Sequence, residues 1–198
     1  MKIILVRHGE TVENVKGIRQ GHSHGTLSKK GMKQARLLAK ELKKYKIDAI
    51  YSSDLGRAAN TARIIKRSHK AALLILTKAM RERNPGIYNL TPMDEEKRAR
   101  EASDMPRHKW RPPKGESWED VQKRAGKFLA MLKKKYKNST ILLVGHGRVN
   151  SIIISMLLKK PLGISADFHP KNATISILEI GKSGKAKMKL FDYGVHLE

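Results

Sequence analysis

The sequence contains no cysteine, few aromatic residues and fewer than half as many acidic as basic residues. Without cysteine the protein can hold no disulfide, no thiolate nucleophile and no cysteine-ligated zinc or iron–sulfur centre. Aromatic residues make up 5% of the chain and do not alternate with basic residues, so the pattern of a surface that stacks single-stranded bases is missing. No apolar run approaches the ~18 residues that a membrane-spanning helix needs, and a first strand at Lys2 leaves no room for a signal peptide. We therefore expect a soluble cytoplasmic protein.

Enough apolar residues are present to build one packed core. With 198 residues and 39% hydrophobic content, residues 1–198 are expected to form a single domain. Short apolar runs alternate with segments of helical periodicity, which is typical of an α/β fold. We predict a three-layer sandwich in which helices cover both faces of a mostly parallel, doubly wound sheet with an antiparallel edge strand.

The apolar periodicity places the elements of this fold along the chain. Strands are predicted over Lys2–Val6, Ala49–Ser52, Leu73–Leu76 and Thr140–Val144, and in a closing hairpin of Thr174–Ile180 and Lys187–Tyr193. Helices are predicted after Ser28 and over Gly56–Arg67, Glu119–Tyr136 and Val149–Leu158. Ser28 is the expected N-cap of the first of these helices, and Ser117 is a plausible N-cap of the third. Residues 83–113 are rich in proline and charge and have no sustained period, so we expect a partly helical insertion over one edge of the sheet.

The charge of the chain is strongly positive. Lys and Arg number 42 and Asp and Glu 18, which gives a formal net charge of +24 that is spread over helix faces and the C-terminal hairpin. Such a surface attracts polyanions non-specifically and steers small phosphorylated substrates toward the protein. The alternative interpretation is a solvated cationic surface without a partner.

The tripeptide Arg7-His8-Gly9 follows the first apolar run directly. Ligands of open α/β sheets bind outside the carboxyl ends of the strands, where a glycine lets the backbone approach an anion. The tripeptide thus indicates phosphate chemistry. Alternatively, Arg7 is a surface charge and His8 a hydrogen-bonded residue at the end of a strand.

Three further groups follow other predicted strands. His146 lies between two glycines after Thr140–Val144, Arg57 lies in the opening turn of a helix, and Glu82 offers a carboxyl group after Leu73–Leu76. Arginine at a helix N-terminus favours an anion, and a carboxyl group can act as general acid or base. Taken singly, His146 could be a core histidine and Glu82 a charged loop residue, but placement after four separate strands favours one common site.

At these residues the chain resembles the histidine phosphatase superfamily, which includes cofactor-dependent phosphoglycerate mutases and many small phosphatases. The resemblance spans nearly the whole chain. The matching segments, all in family order, are Arg7-His8-Gly9-Glu10-Thr11 with Asn14, Leu27 to Gly31 leading to Gln34-Ala35, Ser53-Asp54-Leu55 through Arg57-Ala58 to Thr61-Ala62, Arg81-Glu82, Gly115-Glu116-Ser117 and Gly145-His146-Gly147.

The resemblance implies a role for each of the five main residues. His8 would be the nucleophile that becomes phosphohistidine, and Glu82 would protonate the leaving oxygen. Arg7, Arg57 and His146 would hold the phosphoryl group, and their fixed positive field would make a metal or other cofactor unnecessary.

Four further residues are expected to bind substrate. By the resemblance, Asn14, Gln20, Gly21 and Gly147 would line the phosphate pocket.

Two departures from the family pattern concern specificity. His22 and His24 stand where relatives usually carry an aromatic residue and an aspartate, and no carboxylate lies close enough in sequence to make them a metal site, so we expect none. Asn150-Ser151 replaces the apolar and basic pair of many relatives, so a substrate contact often made there is expected to be missing.

Three functions remain open from the sequence. The short chain and Gly115-Glu116-Ser117 favour a metal-independent phosphatase of a small phosphorylated metabolite. Trp110 to Pro113 is similar to a fragment of the mutase insertion, and the neighbouring Arg107, Lys109 and Arg111 could bind a second acidic group, as a phosphoglycerate mutase requires. The third candidate is a cationic polyanion-binding protein on a phosphatase-like fold. The natural substrate and the oligomeric state do not follow from the sequence, with which a dimer is compatible.

Overall fold

In the computed structural model, which describes residues 1–198, a six-stranded sheet forms the middle layer. The strand order is β3-β2-β4-β1-β5-β6. The strands are β1 (Lys2–Arg7), β2 (Ala49–Ser53), β3 (Leu73–Thr77), β4 (Thr140–Gly145), β5 (Ile175–Ile180) and β6 (Ala186–Tyr193). The first four pair in parallel, whereas β5 runs antiparallel to β1 and β6 antiparallel to β5. The predicted α/β sheet is therefore confirmed, with an antiparallel hairpin at one edge.

Strand β1 lies in the interior of the sheet because its side chains are apolar on both faces. Ile3 and Leu5 pack in one cluster of buried residues, and Ile4 and Val6 pack in the other. Alternate residues of a strand point to opposite faces, so a continuous apolar run suits a strand covered on both sides. The sequence Ile3–Val6 thus creates two cores, one on each face.

Two layers of helices cover these two faces. The α-helices are α1 (Val12–Val15), α2 (Lys29–Leu42), α3 (Gly56–Lys66), α4 (Met93–Glu101), α5 (Trp118–Lys135) and α6 (Gly147–Leu157). Helices α2 and α3 pack on the face that Ile4 and Val6 share, and α5 and α6 pack on the face of Ile3 and Leu5. None of the α-helices combines the length and the hydropathy that crossing a membrane requires.

Side-chain caps fix the starts of two long helices. The Ser28 hydroxyl accepts the Gly31 N–H at 3.0 Å, and the Ser117 hydroxyl accepts the Asp120 N–H at 3.2 Å. The Asp120 carboxylate in turn accepts the Ser117 N–H, which completes a capping box. Both N-caps are as predicted.

Residues 83–113 are partly helical, and their placement over one edge of the sheet stays a prediction. They contain α4 and a short 3₁₀ turn, and Pro92 forms an isolated bridge with Ile18 in the loop after α1. Met93 and Arg100 line a cavity together with Arg148 in the first turn of α6. The segment therefore lies beside the carboxyl ends of the parallel strands.

Candidate active site

His8 directly follows β1 and is buried. Its Nδ1 lies 2.7 Å from the carbonyl oxygen of Gly9, so the proton of the neutral ring resides on Nδ1 and donates to this carbonyl. The lone pair is then on Nε2, the nitrogen that faces away from the backbone. This tautomer gives His8 the form that a nucleophile requires.

Arg57 holds its charge beside this nitrogen. It lies in the first turn of α3, and its Nε–H donates to Nε2 of His8 at 3.2 Å. Its two terminal nitrogens donate to the carbonyls of Ser23 at 2.6 Å and Gly21 at 2.9 Å. Burial lowers the pKa of Arg57 to about 10, which leaves the guanidinium charged at neutral pH. The loop carbonyls therefore fix a cation against the candidate nucleophile.

His146 approaches His8 from the neighbouring strand. Strands β1 and β4 pair in parallel, and the two imidazole centroids are 5.1 Å apart. His146 is fully buried, and neither of its ring nitrogens has a hydrogen-bond partner. Burial and the charge of Arg57 hold the pKa of both histidines well below the ordinary value, so both rings are neutral.

Arg7 completes the positive side of the site. One terminal nitrogen donates to the carbonyl of Pro170 at 3.0 Å and lies 3.3 Å from Nε2 of His169, while its Nε is buried without a partner. Buried polar groups normally have hydrogen-bond partners, so the unpaired nitrogens of Arg7 and His146 are available to form hydrogen bonds with a ligand. Donors beside two guanidinium charges suit the oxygens of a phosphoryl group.

Glu82 receives three backbone N–H groups. Its carboxylate accepts from Arg83 at 2.8 Å and from Arg148 and Val149 at 3.0 and 3.3 Å, the latter two in the first turn of α6. Burial raises the pKa of this carboxyl, but the N–H groups of Arg148 and Arg83 and the charges of Arg148 and Arg57 bring it below its ordinary value. Glu82 is thus ionised in the free protein. Its charge raises the pKa of both Arg7 and Arg57, which places it in the same electrostatic site.

Asn14 and Gln20 support the loops around the site. The Asn14 side chain accepts the Thr11 N–H at 3.2 Å, and the Gln20 amide donates to the Thr11 hydroxyl at 2.8 Å. The Gln20 Oε1 is buried without a partner. Contact of these side chains with a phosphate stays a prediction.

The two glycines of the predicted pocket allow close approaches. Gly21 has a φ of +46° and offers its carbonyl to Arg57, and a Cβ on Gly147 would lie 2.5 Å from the His169 ring. Their contact with substrate also stays a prediction.

His22 and His24 point to different partners. The His22 Nε2 lies 2.8 Å from the carbonyl oxygen of Glu82 and 3.8 Å from the Glu116 carboxylate, and the His24 Nδ1 accepts the Gly56 N–H at 3.2 Å. His22 therefore contacts the backbone of the candidate acid, and His24 contacts the start of α3.

The structure adds three residues that sequence reasoning did not assign to the site. Asn172 donates to the carbonyl of His8 at 3.0 Å, His169 lies against Arg7, and Arg148 stacks on the Trp118 ring at 3.9 Å from its centroid. Asn172 and His169 lie in an irregular segment whose sequence shows no motif or apolar periodicity. Arg148 follows Gly147 directly, so its position next to a predicted site residue was an available signal.

Arg124 and Glu116 fix the segment that carries Glu82. Arg124 donates to the carbonyls of Ala79 and Glu82 at 2.9 and 3.0 Å and binds the Glu116 carboxylate at 2.9 Å. Glu116 also accepts the Asn84 N–H at 2.9 Å. The Gly115-Glu116-Ser117 motif thus positions the segment around the acid and also starts α5.

Comparison with known proteins gives matches over nearly the whole chain. The sequence model of the histidine phosphatase superfamily (branch 1) matches residues 3–192. A Yersinia pestis protein named probable phosphoglycerate mutase GpmB is 32% identical over 188 residues, which are 92% of this chain and 86% of the relative.

Solved structures of two phosphatases share the fold. The α-ribazole phosphatase of Shigella flexneri gives a TM-score of 0.87 at 26% identity, with 98% of this chain and 99% of that chain covered. The mycobacterial glucosyl-3-phosphoglycerate phosphatase gives a TM-score of 0.88 at 25% identity, with the same two shares covered.

Proposed function

Because the chain belongs to the histidine phosphatase superfamily, we propose that it hydrolyses a small phosphate monoester through a phosphohistidine at His8. The observation that carries this proposal is the state of the two imidazoles. The Nε2 of His8 carries the lone pair and accepts only the Arg57 Nε–H, and the nitrogens of His146 lie unpaired next to it. A pure anion-binding protein needs neither a nucleophile nor the nearby carboxyl group of Glu82.

In the first step, the His8 Nε2 lone pair attacks phosphorus, and the bond from phosphorus to the ester oxygen breaks. The leaving oxygen takes a proton from Glu82 and departs as an alcohol. Positive charge that develops on the ring is stabilised by the Nδ1–H bond to Gly9. Arg7, Arg57 and His146 stabilise the phosphoryl oxygens, a task that in phosphoryl transfer consists mainly of positioning and charge.

In the second step, Glu82 takes a proton from water as the water oxygen attacks phosphorus. The N–P bond breaks, its electron pair returns to His8 Nε2, and inorganic phosphate leaves. Glu82 must be protonated for the first step although it is ionised in the free protein. A bound phosphate dianion raises the pKa of this carboxyl by like-charge repulsion and so shifts it toward the protonated form.

The test combines steady-state hydrolysis with trapping of the intermediate. Wild type should hydrolyse p-nitrophenyl phosphate in EDTA, gain nothing from added Mg²⁺ or Zn²⁺, and yield an acid-labile, alkali-stable phosphoenzyme after quenching. His8→Ala should lose both properties, whereas His69→Ala, which removes a half-buried histidine after α3, should keep them. An alanine variant at His8 with a tenth of the wild-type kcat would exclude His8 as the nucleophile.

The second candidate is a phosphoglycerate mutase, favoured by the name of the Yersinia pestis relative. A mutase must return the phosphoryl group from His8 to an organic acceptor and keep water out. Incubation with 3-phosphoglycerate and its bisphosphate cofactor separates the two reactions. Release of inorganic phosphate supports the phosphatase, and net conversion to 2-phosphoglycerate without phosphate release supports the mutase.

A further inference from the structure

A cavity of about 530 Å³ opens beside Glu82. It lies between α4, the start of α5 and the first turn of α6, and Glu82 and His169 line the side nearest to the phosphoryl site. His169 contacts Arg7, and the Glu82 carboxylate accepts the Arg148 N–H. An alcohol that leaves phosphorus past Glu82 therefore enters this cavity.

The lining of the cavity carries more positive than negative groups. Four carboxylates line it, but six cationic side chains do: Arg19, Arg83, Lys97, Arg100, Arg107 and Arg148. Few apolar residues contribute, so the cavity suits a charged ligand better than an apolar one.

Three of the arginines form ion pairs within the protein. Arg19 and Arg83 both form ion pairs with the buried carboxylate of Glu96, and Arg100 binds Glu101 at 2.9 Å. These pairs anchor α4 to the rest of the cavity wall.

Arg107 and Arg148 form no ion pair with a carboxylate, and both contact the Trp118 ring. Their guanidinium carbons lie 5.1 and 3.9 Å from the centroid of the Trp118 ring. The Nη1 of Arg148 is buried without a hydrogen-bond partner. Burial lowers the pKa of Arg148, and the charge of Arg107 lowers it further, so the two cations near the ring repel each other. An anion in the cavity that both side chains line would relieve this repulsion and supply the missing acceptor.

We propose that Arg107 and Arg148 bind a second oxyanion, preferentially a phosphoryl group, on the alcohol portion of the substrate. The assignment rests on the proposed hydrolysis, since it concerns the alcohol that Glu82 protonates. Two unpaired guanidinium groups match the two charges of a phosphate, whereas a carboxylate balances one of them. The sequence suggested Arg107, Lys109 and Arg111 as ligands of a second acidic group. Only Arg107 is available in the cavity, because Lys109 does not line it and Arg111 forms an ion pair with Asp120.

Three matched three-carbon phosphate monoesters and their longer homologues test the assignment. All carry one phosphate as the reacting group, and the other end is a hydroxyl, a carboxylate or a second phosphate. We expect kcat/KM for the bisphosphate to exceed that for the hydroxyalkyl phosphate by about tenfold or more at the best chain length, with the carboxylate between them.

Variants separate this subsite from general attraction to the cationic surface. Arg107→Gln and Arg148→Gln should lower the bisphosphate-to-hydroxyalkyl ratio about tenfold. Arg111→Gln removes the same charge from the same segment outside the cavity and should leave the ratio within about twofold. Arg107 is exposed, so its substitution does not disturb the core, and thermal unfolding followed by circular dichroism checks this. The proposed subsite is overturned if wild type shows no preference for the bisphosphate over the hydroxyalkyl phosphate, or if Arg111→Gln lowers the ratio as much as the cavity variants do.

Calorimetric binding to His8→Ala keeps the two proposals distinguishable. This variant should bind the intact bisphosphate more tightly than the hydroxyalkyl phosphate, and adding Arg107→Gln should abolish the difference. If wild type hydrolyses no ester but this binding difference is found, the proposed hydrolysis fails and the subsite is supported. If wild type hydrolyses the hydroxyalkyl ester and both ligands bind equally, the subsite alone is refuted.

Discussion

The Nε–H of Arg57 donates to the Nε2 of His8 across 3.2 Å. In the proposed reaction the same nitrogen attacks phosphorus, so this hydrogen bond occupies the attacking lone pair in the free protein. When a phosphoryl group enters, the Arg57 Nε–H must transfer to a phosphoryl oxygen, while the carbonyls of Gly21 and Ser23 hold the rest of the guanidinium in place. In the proposed reaction Arg57 therefore aligns His8 before substrate binds and stabilises the transferred phosphoryl group afterwards.

Arg57→Lys should lower kcat/KM for p-nitrophenyl phosphate by about 10²–10³, because an ammonium group cannot donate to His8 and to two carbonyls with fixed geometry. Initial rates over a range of substrate concentrations measure the loss. Arg63→Lys is the matched control, since Arg63 lies exposed on the same helix and binds only Asn60. A Lys variant with more than a third of wild-type activity would remove Arg57 from this role.

Glu82→Gln should lower kcat for alkyl phosphates by about 10²–10⁴ and for p-nitrophenyl phosphate much less, because only a poor leaving group needs a proton in the transition state. The amide oxygen can still accept the N–H groups of α6, so phosphate binding should persist. A linear free-energy plot of kcat against leaving-group pKa measures the difference. Equal losses for both ester classes would exclude Glu82 as the acid.

The stability of the protein should fall as the pH decreases below about 6.5. Burial and the charge of Arg57 depress the pKa of His8 and His146 in the folded state, so these two residues take up protons in the unfolded chain that they do not take up in the folded one. As the pH falls, each histidine then lowers the free energy of unfolding by about 1.4 kcal/mol per pH unit until the pKa of that residue in the folded state is reached. Urea unfolding at pH 7.5, 6.5 and 5.5 measures the slope, and His146→Asn should make it shallower. An unchanged slope in that variant would contradict the buried neutral state.

Salt should lower kcat/KM more than kcat if the net charge of +24 mainly steers small anions to the site. Steering acts on encounter and is screened over a Debye length of about 8 Å at physiological ionic strength. RNA and DNA should then be weak competitors whose binding declines steeply with salt. Filter binding at ~0.05 and ~0.2 M salt tests this, and salt-resistant binding with a sequence preference would favour the polyanion-binding function instead.

The sequence predicted the strand ends and their residues because these depend on local patterns. An apolar run followed by Arg7-His8-Gly9, or by His146 between two glycines, marks the end of a buried strand without any knowledge of its neighbours. Helix α6 was predicted to start at Val149 but starts at Gly147. The apolar periodicity could not locate this start, because the first two residues of the helix, Gly147 and Arg148, have no apolar side chain. His146 serves as the N-cap of that helix.

Contacts between distant irregular segments could not be predicted. His169 reaches Arg7 from a 3₁₀-rich stretch, and Glu96 is buried in α4 only because Arg19 and Arg83 converge on it. Nothing in the local sequence distinguishes Glu96 from the half-buried Glu95 next to it. The position of residues 83–113 beside the strand ends follows from such ion pairs and from the Ile18–Pro92 bridge.

Strands β1 and β4 are far apart in the sequence but pair in parallel. Lys2 lies opposite Thr140, and the register continues to Arg7 opposite Gly145. Closing so long a loop costs entropy before any contact in it is gained, so this pairing is expected to form late in folding. During synthesis a nascent chain that has not yet released β4 holds His8 without His146 and cannot complete the phosphoryl site. If His8 and His146 act together as proposed, catalytic competence arises only after translation has passed β4 and α6, and local unfolding that separates β1 from β4 abolishes it.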